Sequence, residues 1–341
     1  MKDANVIGVA VVGCGYWGPN LLRNFSACPA THVVAACDKD SSRLDRVESI
    51  CPTARLTANY DEILRNPHVD AVAIATPVAT HVGVATAALE AGKHVLVEKP
   101  LAGNVRDAEH LVQRAREAGR ILMVDHTYLY SPTVRKIKEL VDKGDFGEIF
   151  YIDSVRINLG QFQSDINVLW DLAPHDLSII DYLLGRMPRS LSAMGVSHTS
   201  SDLEDVAYLN LDFGQSLMAT FHVNWLSPVK LRHTIIGGSK RSLVYNDLDP
   251  VQPIQIYDSG IQLGQSSEAR YGALVSYRMG DIWSPYVSRS EEPLQNVVRH
   301  FAECILENKP PLTDGEAGLR VVRILEAAQR SIKAQGGRIT L

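Results

Sequence analysis

The sequence lacks several features that would place it in a particular class of protein. It has no uninterrupted apolar run near the ~18 residues that a membrane span requires, and it has no internal repeat or low-complexity tract. Charge of neither sign predominates, because 34 Lys and Arg against 39 Asp and Glu give a net charge of −5 over 341 residues. We therefore expect neither a nucleic acid nor an anionic membrane as a partner.

Cysteine is sparse and shows no pairing pattern. The five cysteines stand at positions 14, 28, 37, 51 and 304, an odd number with no CxxC pair. This pattern argues against the disulfide framework of many secreted proteins. The first residues also run directly into a strand-like segment, without the layout of a signal peptide. The prediction is a soluble protein of a reducing, cytoplasmic compartment.

What is present is an alternation of short apolar runs and amphipathic segments over the first ~125 residues, the rhythm of βαβ units. Five runs are near-continuous and rich in alanine or β-branched residues, as expected of strands that are covered on both faces. These are Val6–Val12, Val33–Cys37, Ala71–Ala75, His94–Val97 and Ile121–Val124. The alternation predicts an α/β domain with a parallel sheet and right-handed crossovers.

Helices are indicated by apolar spacing and by glycines at their ends. The predicted helices are His81–Ala91, Val105–Ala118, Pro132–Lys143, Leu172–Leu184, Gln295–Leu306 and Gly315–Ala334. After Gly147 the apolar runs become longer and several alternate with polar residues, which is typical of an antiparallel sheet with one solvated face. These runs are Ile149–Leu159, Ala207–Asp212, Met218–Trp225 and Lys230–Ile236, while residues 246–285 show no assignable pattern.

The length and the change of pattern predict two domains, residues 1–125 and 126–341. The second is an α+β domain, and its last helix could return to pack on the first domain.

A glycine-rich segment, Gly13–Gly18, follows the first strand and opens the first helix. In this position a GxGxxG pattern predicts a dinucleotide site. Gly13 permits the tight turn, Gly15 lets a pyrophosphate approach the backbone, and Gly18 allows close packing of helix on strand. The helix N-terminus supplies free N–H groups and the positive end of a dipole. The alternative is a glycine-rich turn without a ligand.

Asp38 ends the second strand, 20 residues beyond Gly18. A carboxylate there accepts hydrogen bonds from the adenosine ribose and repels a 2′-phosphate, which favours NAD over NADP. Lys39 and Arg43 lie nearby and could bind such a phosphate. The alternative for Asp38 is an ordinary residue before the helix that starts at Ser41.

Lys99 follows Glu98 at the end of the fifth strand, at the edge of a parallel sheet where ligands bind. Pro100 keeps the preceding backbone extended. Lys99 could therefore donate to a reacting oxygen, although a solvated loop lysine is an equal alternative.

Asp171 and His175 open a helix in the second domain, and their i,i+4 spacing puts both on one face. Asp171 is a candidate N-cap, with Pro174 tolerated in the first turn. The helix N-terminus would help to keep His175 neutral and ready to accept a proton. The alternative is a capping Asp and a packed His. Asp171 and His175 alone do not make a metal site, and no third His or Cys stands at the spacing of a metal ligand, so no metal is expected.

Together these motifs resemble those of the Gfo/Idh/MocA oxidoreductases, and the similarity spans essentially the whole chain. The matching motifs are the GxGxxG of 13–18, Thr76-Pro77 with His81, Glu98-Lys99-Pro100, Asp171 with His175, and residues 310–315. The resemblance implies a Rossmann domain followed by an α+β domain whose largely antiparallel open sheet often serves oligomerisation. It further implies NAD(P)-dependent oxidation or reduction at a ring hydroxyl of sugars, nucleotide-sugars or inositols.

By matching positions, the resemblance implies the catalytic residues Lys99, Asp171 and His175. The motifs and the resemblance together predict the residues that bind the cofactor, namely Gly13, Gly15, Tyr16, Trp17, Gly18, Asp38, Thr76, Pro77, His81, Glu98 and Lys99. The predicted substrate-binding residues are Lys99, His126, Arg156, Asn158, Asp171 and His175. The cofactor is expected to be NAD, the substrate a sugar, and the assembly a homodimer or homotetramer.

The chain departs from the family pattern at two places. Val78 stands where many relatives carry Asn, and the arginine common before Ser131 is missing. The second departure suggests a subgroup with a different substrate. The polar run 158–165 looks like a substrate-facing loop, with a plain hairpin connection as the alternative.

Several activities remain open on this scaffold. Nucleotide-sugar dehydrogenases acting at C3 look closer than inositol or free-sugar dehydrogenases. An NAD-sensing regulator would be expected to lose one of the three catalytic residues, and a dihydrodiol- or bilin-type reductase would not need the Asp–His pair. Candidate contacts for an anionic substrate group are Arg156, Lys230 and Arg232, each of which could instead be a solvated strand residue.

Overall fold

The computed structural model describes residues 6–160, 162–163, 165–199, 203–258, 260–261, 277–278, 280–288 and 291–341. They form two compact units. The first comprises the described residues of 1–131 and 290–323, and the second those of 132–289 and 324–341. The chain leaves the first unit after Ser131 and not at residue 125, because the 3₁₀ turn Thr127–Tyr130 stays with it through the fully buried Tyr130.

Helices are numbered in chain order. They are α1 Gly18–Ala27, α2 Ser41–Ile50, α3 Tyr60–Arg65, α4 Val78–Glu90, α5 Val105–Ala118, α6 Pro132–Asp142, α7 Val168–Leu184, α8 Pro293–Glu307 and α9 Gly315–Lys333. Within the described residues, no helix combines the length and the apolar character needed to cross a bilayer.

The first unit is built on a six-stranded sheet in which every pairing is parallel and the order is 3-2-1-4-5-6. Its strands are β1 Ile7–Val12, β2 Thr31–Cys37, β3 Arg55–Thr57, β4 Ala71–Ile74, β5 His94–Glu98 and β6 Leu122–Asp125. β1 and β4 are buried at every residue, which is why they read as continuous apolar runs. The predicted Rossmann architecture is confirmed, while the short edge strand β3 and the short helix α3 that follows it were missed.

The second unit contains a nine-stranded, mostly antiparallel mixed sheet. Its nine strands are β7 Ile149–Leu159, β8 Ser190–Val196, β9 Val206–Gly214, β10 Leu217–Asn224, β11 Leu226–Gly238, β12 Ser242–Asn246, β13 Ile254–Tyr257, β16 Ile282–Trp283 and β17 Ile339–Thr340. Two further strands, β14 Gly260–Ile261 and β15 Tyr277–Arg278, pair only with each other. Within the nine-stranded sheet, β7 and β10 form the one parallel pair among the described residues. The predicted α+β class with an open, largely antiparallel sheet is therefore confirmed.

The two faces of this sheet differ sharply. Helix α7 packs against β7, β9 and β10 on one face, where Ser154 and Arg156 of β7 are buried. On the other face Tyr208 is exposed, as its alternation along β9 requires.

Candidate active site

The glycine loop between β1 and α1 is shaped by the packing of the chain at two of its three glycines. Gly13 has φ +93°, and a Cβ there would lie 2.6 Å from the backbone of Ala75. A Cβ on Gly18 would overlap the carbonyl oxygen of Gly13. Neither position accepts a side chain.

Gly15 is different. A Cβ there would meet only Arg43 Nη1, at an ordinary 3.6 Å, so internal packing does not demand glycine. Helix α1 has no side-chain cap, which leaves N–H groups of its first turn without a capping partner. The neighbouring Tyr16 is 82% exposed. An open loop over uncapped N–H groups fits the diphosphate of a dinucleotide.

Asp38 lies beside this loop and is buried. Its Oδ2 accepts a hydrogen bond from the Cys14 backbone N–H at 2.7 Å, and its Oδ1 accepts from the Asp40 N–H at 2.9 Å. Arg43 Nη1 lies 3.5 Å from Oδ2. Asp38 does not cap α2, because Asp40 does. The carboxylate therefore holds the loop, and its contact with a ribose stays a prediction.

His81 joins two turns at the carboxyl edge of the sheet. Its Nε2 lies 2.9 Å from the carbonyl oxygen of Thr76 and its Nδ1 lies 3.0 Å from that of Pro100. The residue is 1% exposed. Thr76 belongs to the Thr76-Pro77 turn, and its hydroxyl accepts a hydrogen bond from Thr80. His81 thus positions these turns, while a direct contact with a cofactor stays a prediction.

Glu98 and Asp125 face each other across β5 and β6, next to the half-buried Lys99. Burial, reinforced by the neighbouring Asp125, holds the pKa of Glu98 well above its usual range. Burial also raises the pKa of Asp125, which accepts hydrogen bonds from Thr127 Oγ1 at 2.7 Å and, at a long 3.5 Å, from Trp17 Nε1. Both shifts favour the neutral forms of these two carboxyl groups beside Lys99.

Asp125 was missed by the sequence analysis. The available signal was its position at the end of β6, opposite the Glu-Lys-Pro turn.

His126 follows Asp125 and is 1% exposed. Neither of its ring nitrogens has a hydrogen-bond partner among the described residues. Burial lowers its pKa to about 3, and the positive charges of Lys99 and Arg320 act in the same direction. His126 is a neutral imidazole at physiological pH. Its predicted contact with a substrate stays a prediction.

Helix α7 starts one turn earlier than predicted. It begins at Val168, and its N-cap is Asn167, whose side chain accepts a hydrogen bond from the Trp170 N–H at 3.0 Å. Asp171 is therefore not the cap but lies in the first turn, and Pro174 lies inside the helix. Since the dipole effect fades beyond the first turn, the helix end does little for the charge of His175.

Asp171 and His175 belong to the second unit, whereas Lys99 belongs to the first. Asp171 Oδ2 accepts a hydrogen bond from the indole N–H of Trp225 at 3.1 Å. The backbone carbonyl of His175 accepts one from the Ser178 hydroxyl at 2.8 Å. The helix thus holds both side chains of the predicted pair within two consecutive turns.

The structure corrects the prediction for Arg156. This residue is 3% exposed, and its guanidinium forms a two-pronged ion pair with Asp176 of α7, at 2.7 and 2.8 Å. It ties the helix to β7 and is not available to an anionic substrate. The sequence could not show this, because the two residues lie on different elements.

The remaining substrate candidates lie on β7 and β11. Asn158 is half-buried on the same face of β7 as Arg156. Arg232 pairs with Asp247 at 3.0 Å, while Lys230 is exposed. Of the predicted substrate-facing loop 158–165, positions 161 and 164 lie outside the described residues.

Two family models match the chain. The oxidoreductase family with an NAD-binding Rossmann fold matches residues 7–126, and the GFO/IDH/MocA C-terminal domain matches residues 134–244.

Individual relatives cover nearly the whole chain. The uncharacterized oxidoreductase YrbE of Bacillus subtilis is 24% identical, over 96% of this chain and 94% of its own length. The scyllo-inositol 2-dehydrogenase (NADP(+)) IolW of the same bacterium is also 24% identical, over 86% and 85%. Among solved structures, the UDP-N-acetylglucosamine 3-dehydrogenase GnnA from Acidithiobacillus ferrooxidans is similar with a TM-score of 0.81, 24% identity, and coverage of 96% and 98%. With both domains matched in order, the chain belongs to the Gfo/Idh/MocA family and is an NAD(P)-dependent oxidoreductase.

Proposed function

We propose that the protein transfers a hydride between NAD and a ring hydroxyl or ketone of a sugar, with a nucleotide-sugar as substrate and C3 as the reacting carbon. The observation that carries the proposal is the position of Lys99 at the carboxyl end of β5, on the sheet edge that also bears the glycine loop. Ligands of such sheets bind at that edge. The Asp171–His175 pair on α7 supplies the residue types needed for proton transfer.

Each catalytic residue has a distinct part. His175 takes the proton of the substrate hydroxyl as general base, and returns it in the reductive direction. Lys99 donates a hydrogen bond to the same oxygen and stabilises the negative charge that develops on it. Asp171 orients the imidazole or binds a neighbouring hydroxyl. The nicotinamide, when bound, supplies the two-electron chemistry by accepting or returning a hydride.

The residues that would hold NAD are those of the glycine loop, together with Asp38, Thr76 and Glu98. The buried carboxylate of Asp38 supports NAD, since it would repel a 2′-phosphate. Arg43 is the cation that an NADP-dependent variant would use, and here it is engaged with Asp38 and Asp40.

The nucleotide-sugar substrate is supported by the resemblance to C3 dehydrogenases and by the exposed cation Lys230 on β11. Inositols are the alternative, because relatives include dehydrogenases named for scyllo-inositol and myo-inositol.

A cytoplasmic homodimer or homotetramer is part of the proposal. The five cysteines are all free and buried, which agrees with a reducing compartment. Large apolar side chains exposed on the open face of the second sheet support self-association, among them Tyr151, Met194, Tyr208 and Met218.

The test is a screen of NADH and NADPH formation against UDP- and dTDP-sugars, sugar phosphates, free sugars and inositols, with the ketones tested in reverse. We expect NADH with a nucleotide-sugar. Turnover confined to inositols or free sugars would refute the substrate class. A preference for NADP would refute the proposed cofactor.

A further inference from the structure

Trp225 lies between β10 and β11 and is 1% exposed, although tryptophan carries a polar N–H that needs a partner when buried. The partner is a charged one. The indole Nε1–H donates to Oδ2 of Asp171 at 3.1 Å, across 54 positions of sequence. The buried indole therefore ends on one of the three proposed catalytic side chains.

The backbone of Trp225 is fixed on both sides. Its N–H donates to the carbonyl oxygen of Asp205 at 2.9 Å, and its own carbonyl oxygen accepts from the N–H of Gly160 at 2.8 Å. Asp205 is completely buried. Both backbone hydrogen-bonding groups of Trp225 are therefore paired, and the position of its main chain fixes where the indole starts.

The end of β7 leaves room for this ring. A Cβ on Gly160 would overlap the indole and would lie 2.8 Å from its Cγ, so the glycine is required by the tryptophan. Phe162 also packs against the indole, with the ring centroids 5.4 Å apart at an interplanar angle of 58°. Because both contacts restrict rotation of the indole, its N–H keeps one direction.

From this geometry we infer that Trp225 is a positioning residue for the reaction: its indole N–H fixes the carboxylate of Asp171 on α7. With Oδ2 committed to the indole, the carboxylate cannot rotate freely, and the direction of its other oxygen is set. The donor is neutral, so it orients the carboxylate without cancelling its charge. The inference rests on the proposed function, because it takes Asp171 as a catalytic residue.

The first test is a double-mutant cycle of Trp225→Phe and Asp171→Ala, with turnover, KM and the free energy of unfolding measured for each variant. Trp225→Phe keeps an aromatic ring and removes the N–H. We expect it to lower kcat by roughly 10- to 100-fold, the usual effect of a hydrogen bond to a charged group, with KM for NAD unchanged. In the Asp171→Ala background the same change should have almost no effect on kcat. In that background Trp225→Phe should also cost less stability than in the wild type, because only ring packing is lost and the N–H no longer has an acceptor.

The matched control is Trp170→Phe, the same substitution at another buried tryptophan of this unit, which should turn over close to the wild-type rate. If Trp225→Phe lowers kcat equally in both backgrounds, Trp225 acts only through packing and the inference is wrong. If Asp171→Ala itself leaves kcat unchanged, the proposed role of Asp171 fails instead.

A second measurement does not depend on activity or on the folding of Trp225→Phe. The chain has four tryptophans, so the Trp225 indole N–H resonance can be assigned from variants that remove each of the others. We expect this resonance to shift in Asp171→Ala more than the other indole resonances do. An unchanged chemical shift of the Trp225 indole N–H in Asp171→Ala would overturn the inference.

Discussion

Asp38 illustrates, at the scale of single residues, how a side chain predicted to face a ligand also holds the loop that binds it. One carboxylate oxygen accepts from the Cys14 N–H and the other from the Asp40 N–H. Its position after β2 was enough to predict the residue from the sequence. The two backbone partners could not be predicted, because they come into reach only once the loop has folded.

Asp38→Asn should raise the KM for NAD and weaken the preference for NAD over NADP. The amide is neutral and has one acceptor oxygen for two N–H groups and a ribose. KM values for both cofactors measure the effect. Arg43→Ala is the matched variant: it removes the nearby cation and keeps the carboxylate, so it should impair the use of NADP and spare NAD. An unchanged ratio of NAD to NADP use in Asp38→Asn would contradict this account.

His126 should make the protein less stable in acid. Its pKa is lowered from 6.5 to about 3 in the folded state, so below about pH 6.5 the unfolded chain takes up a proton that the folded chain does not. The stability of the wild type, relative to His126→Phe, should therefore fall as the pH drops from 6.5 towards 3. Urea unfolding across this range measures the difference.

The control for this experiment is His110→Gln, at an exposed histidine of α5, whose profile should run parallel to that of the wild type. A constant difference between wild type and His126→Phe would show that His126 is not a buried neutral imidazole.

Among the secondary-structure elements, the sequence correctly predicts those strands and helix ends that depend on the local pattern of residues. The buried strands β1 and β4 follow from continuous apolar runs, and α5 and α7 end at glycines in the left-handed region, as expected. The start of α7 was misplaced because Asn167 and Asp171 are both good capping residues, four positions apart. Only the hydrogen bond from the Trp170 N–H decides between them.

The Arg156–Asp176 pair is an element-scale contact that should stabilise the second unit. Both side chains are buried, at 4% and 6% exposure, so removing one partner leaves an uncompensated charge. We expect Arg156→Met or Asp176→Asn to lower the free energy of unfolding by about 3–5 kcal/mol.

In the double variant Arg156→Met with Asp176→Leu, the free energy of unfolding should fall by less than the sum of the two single-variant losses, because no charge is left unpaired. Urea unfolding of the four proteins measures this. Single variants as stable as the wild type would mean that the pair does not anchor α7 to β7.

At the scale of the whole molecule, the chain is not divided by a single cut. The described residues of 290–323 group with the first unit, although they stand between β16 and β17 of the second sheet in sequence. Thr313 shows why: its hydroxyl donates to the Val124 carbonyl at 2.6 Å, and its carbonyl accepts from the Val124 N–H at 2.8 Å. Bonds between residues so far apart leave no local signal, so the sequence predicted a second domain of residues 126–341, from which only the last helix could return to the first domain.

The open face of the second sheet should mediate self-association. Met194 is 65% exposed there, near Tyr208, whose ring stacks on His222 at 4.3 Å. Met194→Glu places a charge on this face and should shift the protein to a monomer, as measured by light scattering after size exclusion. Leu306→Glu, at an exposed apolar residue of α8, is the control and should leave the assembly intact. A monomeric wild type, or a Met194→Glu variant that stays assembled, would contradict the prediction.

In the proposed function, His175 performs the proton transfer of an NAD-dependent sugar dehydrogenase. The most direct test is the rate of NADH formation by the wild type and His175→Ala, with the nucleotide-sugar found in the screen and saturating NAD. We expect His175→Ala to lower kcat by roughly 10²- to 10⁴-fold, the usual contribution of acid–base catalysis. NAD binding should be unchanged, because the glycine loop and Asp38 lie in the other unit. Turnover close to that of the wild type would show that His175 does not transfer the proton.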